Sequence, residues 1–244
     1  CCRNMKEAYL TIDDSPTKDF KQKIDFLAKN KIPAIIFCIG RLIEKHPKEV
    51  EYAIKKGFII GNHSYSHPRF SRINLEQAYE EILKTDKLIE QTYKNTRTKR
   101  PIKIFRFPYG DKGGDPINLV IIGRFKFLKN PFAKNKKRAL QEILSNLEYT
   151  QPSFQNIKYP YYKEFNLDSD KDVFWTYDCE EYWLSLESVL KKIEMHNPRQ
   201  GGDLSNPHSE DIILIHDHEK TTKEFPIIIE ALIKKGIKFK LPKF

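Results

Sequence analysis

The chain has 244 residues, 39% of them hydrophobic, with 43 basic against 33 acidic side chains for a formal net charge of +10. That length and apolar content suffice for one large core, so a single domain over 1–244 is expected, and the lack of any run of about 18 apolar residues excludes a membrane-spanning helix. The positive balance suits anionic surroundings such as envelope polymers or phospholipid head groups, but no RNA- or DNA-binding signature accompanies it and the lysines are spread along the chain, so no nucleic-acid partner is expected.

In chain order, Cys1 and Cys2 come first, with no initiator Met and no apolar targeting segment before them. A new N-terminus at Cys is what removal of a lipoprotein signal leaves, so a lipid anchor at Cys1 is one expectation and an arbitrary boundary the other. Glu7 to Asp13 then reads as a strand, followed by Phe20, Ile24, Leu27 and Ala28 at helical spacing, an apolar stripe for a helix lying on a sheet. Ala34 to Ile39 is a second strand, in which Cys38 is a small core residue. Gly57 ends the next helix with a left-handed cap before a third strand, Phe58 to Gly61. Asn74 can cap a long helix with Gln77 at its third position, with Leu75, Ala78, Ile82 and Ile89 marking the buried face.

Lys103 to Phe107 is a fourth strand. From about Asp111 to Lys171 the rhythm breaks, in a stretch far longer than an ordinary connection and therefore a candidate insertion. Its centre, Arg124 to Arg138, is basic and holds Phe125, Phe127 and Phe132, while Tyr159, Pro160, Tyr161 and Tyr162 form an aromatic cluster. Aromatic faces stack on sugar rings, so this stretch is expected to be either a substrate-binding lid or a peripheral subdomain with its own small core. Asp172 to Asp178, followed by Cys179, Asp211 to His216, and Ile237 to Leu241 after a helix ending at Gly236 complete seven strands. Four cysteines in this pattern announce no disulfide framework. Alternating βα units imply a mostly parallel sheet, a barrel one strand short of eight.

On this frame the chemically capable side chains fall at strand C-terminal ends: Asp13 and Asp14 after the first, His63 and His67 after the third, Arg106 at the fourth, Asp178 at the fifth and His216 at the sixth. In a parallel barrel those ends open on one face, where active sites sit. One carboxylate with two imidazoles gives the three protein ligands of an open Zn²⁺-type site and leaves the second carboxylate as a base. Singly, each residue has an ordinary alternative: Asp-Asp a turn, the histidine pair a surface loop, Arg106 an ion-pair partner, His216 a satisfied core histidine. Their convergence favours the site.

These residues resemble the polysaccharide deacetylases of the NodB-homology type, carbohydrate esterase family four. Leu10-Thr11-Ile12-Asp13-Asp14-Ser15-Pro16 is similar to the T-F-D-D-G-P motif, Gly61-Asn62-His63-Ser64-Tyr65-Ser66-His67-Pro68 to G-N-H-S-x-x-H-P, and Phe105-Arg106-Phe107-Pro108-Tyr109-Gly110 to F-R-P-P-Y-G. Trp175 to Trp183 matches the fourth motif more loosely, and Leu214-Ile215-His216 fits L-x-H. The chain departs from the pattern at Ile12 and Ser15, where Phe and Gly are usual, at Glu181, where Asp is common, and at Tyr182, which displaces Trp183.

The resemblance implies a distorted (β/α)7 barrel with an insertion between the fourth and fifth strands, about 111–171. It implies that Asp14, His63 and His67 hold a divalent metal, Zn²⁺ before Co²⁺ or another transition ion, that Asp13 is the base held by Arg106, and that the Tyr109 backbone N–H stabilises the oxyanion. His216 is then the acid, oriented by Asp178, and Tyr109, Trp183 and Leu214 form the substrate wall. The implied activity is hydrolytic removal of N-acetyl groups from peptidoglycan, chitin-like oligomers or poly-N-acetylglucosamine; the basic balance and the Cys1 anchor point to an envelope substrate and an extracytoplasmic setting, with a cytoplasmic enzyme as the alternative. The alternatives are deacetylation of a lipid-linked amino sugar and a catalytically inactive carbohydrate-binding relative.

Overall fold

Strand β1 (Lys6–Ser15) is the centre of a parallel sheet. On one edge it pairs with β5 (Asp211–His216), beyond which lies β4 (Tyr177–Asp178). On the other it pairs with β2 (Ile35–Cys38), beyond which lies β3 (Ile59–Asn62), while β6 (Ile237–Phe239) pairs with its first residues, Lys6 to Ala8. This computed structural model describes residues 5–114, 131–195 and 204–244. Cys1 and Cys2, with the lipid anchor expected there, lie outside the described residues, as do Arg124, Phe125, Phe127 and the Phe132 side chain.

The period of two along each strand sorts the core. Ala8, Leu10 and Ile12 join Ile36, Cys38, Ile60, Ile213 and Ile215 in a cluster with the helix residues Phe20, Ile24, Leu27, Ile228 and Leu232. Tyr9 faces the other way, with Ile35, Phe37, Ile59, Ile104 and Ile212. Thr11 and Asp13 share the parity of Tyr9, so β1 carries an interior row that changes from apolar to ionisable at its C-terminal end. Helix α1 (Phe20–Lys29) turns Phe20, Lys23, Ile24 and Leu27 inward. Helices α2 (Gly40–Lys45) and α3 (Pro47–Lys55) fill the crossover between β2 and β3, and α4 (Leu75–Asn95) follows β3.

The expected cap of α4 forms as a full capping box between Asn74 and Gln77. Its face is deeper than the apolar pattern indicated: Ala78, Ile82, Thr85, Asp86, Ile89, Thr92 and Tyr93 are buried, whereas Leu75 is exposed because it lies in the first turn, beyond the sheet. Gly236 caps the helix Phe225–Lys235 in the left-handed region at φ 103°.

Three strand expectations are corrected. Lys103 to Phe107 is no regular strand; Phe105 makes an isolated parallel bridge to Asn62, through Asn62 N–H to Ile104 O and Arg106 N–H to Asn62 O. The fifth strand shrinks from Asp172–Asp178 to Tyr177–Asp178, and the last ends at Phe239 rather than Leu241. Val173 N–H donates to Phe105 O, so single backbone bonds span the side of the ring where no continuous ladder runs. The fold is therefore a distorted parallel α/β barrel left open by its ladder between β3 and β4. Between them come α5 (Pro131–Asn146) and α6 (Pro160–Glu164). Tyr159 and Tyr162 are buried in the interior cluster beside Tyr9, Ile35 and Ile212, so the tyrosine cluster is core and not a lid. Among the described residues no helix is long and apolar enough to cross a membrane.

Candidate active site

Parallel register brings the ionisable residues level. Asp13 is the β1 partner of His216 on β5, and Cys38 on β2 is the partner of Asn62, the residue before His63. Just past these ends the chain adopts left-handed backbone at Asp14 (φ 62°), Ser64 (φ 63°), His67 (φ 63°), Tyr109 (φ 59°) and Glu180 (φ 55°). For residues other than glycine each such conformation costs on the order of 1–2 kcal/mol, and strain of this kind gathers where side chains must be aimed.

The loop that carries the histidines is held from below. The Asn62 amide donates to Ile82 O (2.9 Å) and the Tyr149 hydroxyl (2.6 Å), and its Oδ1 accepts the Ser64 N–H (2.8 Å). The Glu81 carboxylate accepts from Tyr65 N–H, Ser66 N–H and the Ser66 hydroxyl. Gly61 is required by contact, since a Cβ there would lie 2.7 Å from the Phe37 ring. His63 Nδ1 lies 2.8 Å from Arg106 O, and because a carbonyl can only accept, the proton is on Nδ1 and the Nε2 lone pair faces the cleft.

His67 Nε2 is 3.1 Å and His63 Nε2 3.5 Å from Asp14 Oδ1. The ligand atoms of Asp14, His63 and His67 all lie within 4.8 Å of one another. Burial pushes His63 down to about 4, against the opposing charge of Asp13, which keeps the ring neutral as a metal ligand must be. Burial alone would raise the Asp14 carboxyl, but its hydrogen bond with His67 and the electrostatic pull of the surrounding histidines outweigh that and hold it below the ordinary range. Two imidazoles converging on an ionised carboxylate fit a divalent transition ion.

Asp13 has a different environment. Arg106, 1% exposed, donates through Nη1 to Asp13 Oδ1 (2.8 Å) and Thr11 Oγ1 (2.8 Å), and through Nε to Val173 O (3.0 Å). Its guanidinium lies over the Phe37 ring at 4.3 Å. Asp13 Oδ2 is 3.6 Å from His63 Nε2, which leaves this oxygen beside the Asp14, His63 and His67 cluster without making Asp13 part of it.

The partner of His216 differs from expectation. Glu181 Oε1 accepts both the His216 backbone N–H (2.6 Å) and Nδ1–H (3.0 Å), whereas Asp178 Oδ1 accepts the Glu180 backbone N–H (2.9 Å). The turn through Glu180 brings Glu181 back over β5, so the glutamate in the position where aspartate is usual is the residue that orients the ring. Asp178 stays close, its carboxyl pushed up to about 6 by burial, with His216 opposing and Glu181 reinforcing the shift. Burial disfavours a charged His216, but Glu181, Asp178 and Asp14 together raise it to about 10.

Sequence reasoning also missed Asp217. Its N–H donates to Asp13 O (2.8 Å), its carboxylate accepts Thr17 N–H (2.7 Å) and Oγ1–H (2.9 Å), and the buried Lys23 ammonium lies 2.6 Å from Oδ1. A lysine on the inward stripe of α1 is the signal that could have found it. Arg41, Arg69, Tyr109, Trp175, Tyr182, Trp183 and Leu214 line the remaining cleft of about 730 Å³. Trp183 is 82% exposed at its rim, Leu214 is buried at its wall, and the Tyr109 ring stands 4.6 Å from that of His67.

A family model described as polysaccharide deacetylase matches residues 2–120, which include both aspartates, both histidines, Arg106 and Tyr109. The peptidoglycan-N-acetylglucosamine deacetylase of Bacillus cereus is 35% identical over 109 residues, 44% of this chain and 38% of that relative, so the match spans well under half of the curated protein. A family 4 carbohydrate esterase from Streptomyces lividans superposes with a TM-score of 0.63 at 20% identity, over 99% of this chain and 94% of that one. A family 4 pseudoenzyme from Bacillus anthracis scores 0.62 at 18% identity, over 97% of this chain and 63% of that one, so the shared fold leaves activity to the site residues. Residues 2–120 thus match the polysaccharide deacetylase family, and the chain as a whole has the fold of the family 4 carbohydrate esterases.

Proposed function

We propose that this domain, taken as a single unit over 1–244, is a metal-dependent hydrolase that removes N-acetyl groups from an N-acetylated glycan, releasing acetate and leaving a free amino sugar. The observation that carries this is the different setting of the neighbouring aspartates: Asp14 faces two imidazole nitrogens while Asp13 is fixed by Arg106. Asp14, His63 and His67 would hold the ion, for which Zn²⁺ fits the donor set and Co²⁺ is accommodated. When bound, such an ion supplies Lewis acidity that eases loss of a proton from water and polarises an amide carbonyl.

Asp13 takes the proton of the attacking water, its free Oδ2 being the available acceptor while Arg106 occupies Oδ1. The Tyr109 backbone N–H, in a left-handed turn at the cleft, is the donor for the oxyanion in this reading. His216, protonated and held by Glu181 through Nδ1, presents Nε2–H to the leaving nitrogen, so the amine departs neutral. Asp178 supports that charge at one remove. Tyr109, Leu214 and the exposed Trp183 provide the sugar-facing wall. An acetylated envelope polymer, the kind of substrate for which the similar Bacillus deacetylases are named, supports action outside the cytoplasm.

The test is acetate release from N-acetylglucosamine oligomers and isolated peptidoglycan, with the new amine counted in parallel. Equal acetate and amine are expected, and His216→Ala is expected to lower turnover by at least about a hundredfold with metal content intact. Unchanged turnover in that variant would remove His216 from the acid role.

A further inference from the structure

Two guanidinium groups at the cleft have no part in the chemistry above. Arg41 follows β2 and Arg69 follows the His63–His67 loop; both line the cleft and both are exposed. Arg69 is steadied over the Tyr109 ring at 4.2 Å, and among the described residues neither arginine has a carboxylate partner.

The acids of the same cleft are already engaged. Asp13 is held by Arg106, Asp14 by His67, Asp178 by the Glu180 N–H, and Asp217 by Lys23. The positive charge on this rim is therefore not cancelled within the cleft, and it belongs to the side chain type that grips carboxylates through two parallel hydrogen bonds. The two arginines also sit on one side. In the sheet order β3-β2-β1-β5-β4 they belong to the β2 and β3 end, while Tyr182 and Trp183 follow β4 at the other.

We propose that Arg41 and Arg69 make this cleft selective for N-acetylated sugars that carry a carboxylate, with the sugar ring toward Trp183 and the acid toward the arginines. This rests on the deacetylase function proposed above and adds the charge class of its substrate. A neutral chitin-like chain offers these groups only hydroxyls; a sugar bearing a lactyl ether or a peptide stem offers the charge they lack.

The test compares three N-acetylated β-linked tetrasaccharides on the metal-reloaded protein: one with lactyl carboxylates, one with those carboxylates extended by a peptide stem, and one with them converted to methylamides. The acid forms are expected to exceed the amide in kcat/KM by about tenfold at low salt, a factor that shrinks as salt rises. The larger of the two acid forms identifies the source of the carboxylate. In the Arg41→Gln/Arg69→Gln double variant the ratio of acid to amide is expected to fall to about one, with lysine at both positions restoring part of it. Equal use of acid and amide by the unaltered protein, or an undiminished ratio in the double variant, would overturn the proposal. Calorimetric binding of the same sugars to His216→Ala reads the preference independently of turnover. Absence of acetate from every sugar would sink the deacetylase function alone, while the binding ratio still decides the selectivity.

Discussion

Asp13 and Asp14 are neighbours in sequence and opposites in use. The left-handed backbone at Asp14 swings its carboxylate toward His63 and His67, and the strand parity of Asp13 leaves it on Arg106. Asp13→Asn preserves the Arg106 contact in size yet cannot accept a proton, so turnover is expected to fall by about a thousandfold with metal binding retained; paired kinetics and metal analysis check this. At His216 the geometry favours Glu181 over Asp178 as the orienting carboxylate. Because burial alone favours the neutral ring, removing the Glu181 charge lowers the affinity of His216 for its proton. The imidazolium is raised to about 10, so its stabilising contribution is complete below about 6.5 and fades as pH rises through 10. In Glu181→Gln the alkaline limb of kcat/KM should therefore move to lower pH, and in Asp178→Asn it should move less. A larger displacement in the Asp178 variant would reverse the assignment.

Elements place these residues by register and by anchors that run between them. Lys23 on α1 grips Asp217 beyond β5, and Asp217 holds both Asp13 and Thr17, so one buried ion pair ties the first helix to the two strands that carry Asp13 and His216. Lys23→Met leaves Asp217 without its charge partner and is expected to cost about 3–5 kcal/mol, against about 1 kcal/mol for loss of the exposed α4 cap in Asn74→Ala. Thermal or denaturant unfolding of the two variants checks the order. The amphipathic stripe of α1 and the capping box of α4 were legible because both are local patterns. The fourth strand was not: Lys103 to Phe107 has strand composition, but it meets β3 only at the Asn62 bridge, a pairing that depends on distant chain. Tyr159 and Tyr162 misled for the same reason, since their aromatic run says nothing of the Tyr9 face they bury against.

At the scale of the molecule, a parallel barrel with an interrupted ladder sends ionisable residues from several strands to one rim, and the order of motifs along the chain made that rim readable. The residues proposed to hold the ion, and Arg106, stand in contiguous motifs, so their convergence on one rim was legible; the contacts of Glu81, Glu181 and Asp217 join separate segments of the chain and were not. The net charge of +10 acquires a local meaning at Arg41 and Arg69, where it borders the cleft uncancelled. In the function proposed here, Asp14, His63 and His67 hold an ion on which amide hydrolysis depends. Its most direct test is acetate release from an N-acetylated oligosaccharide by protein stripped of metal and then reloaded with Zn²⁺, alongside Asp14→Ala treated identically. Activity lost on stripping, restored on reloading, and absent from the Asp14 variant in both states is the predicted result; acetate release by the stripped protein at the reloaded rate would contradict it.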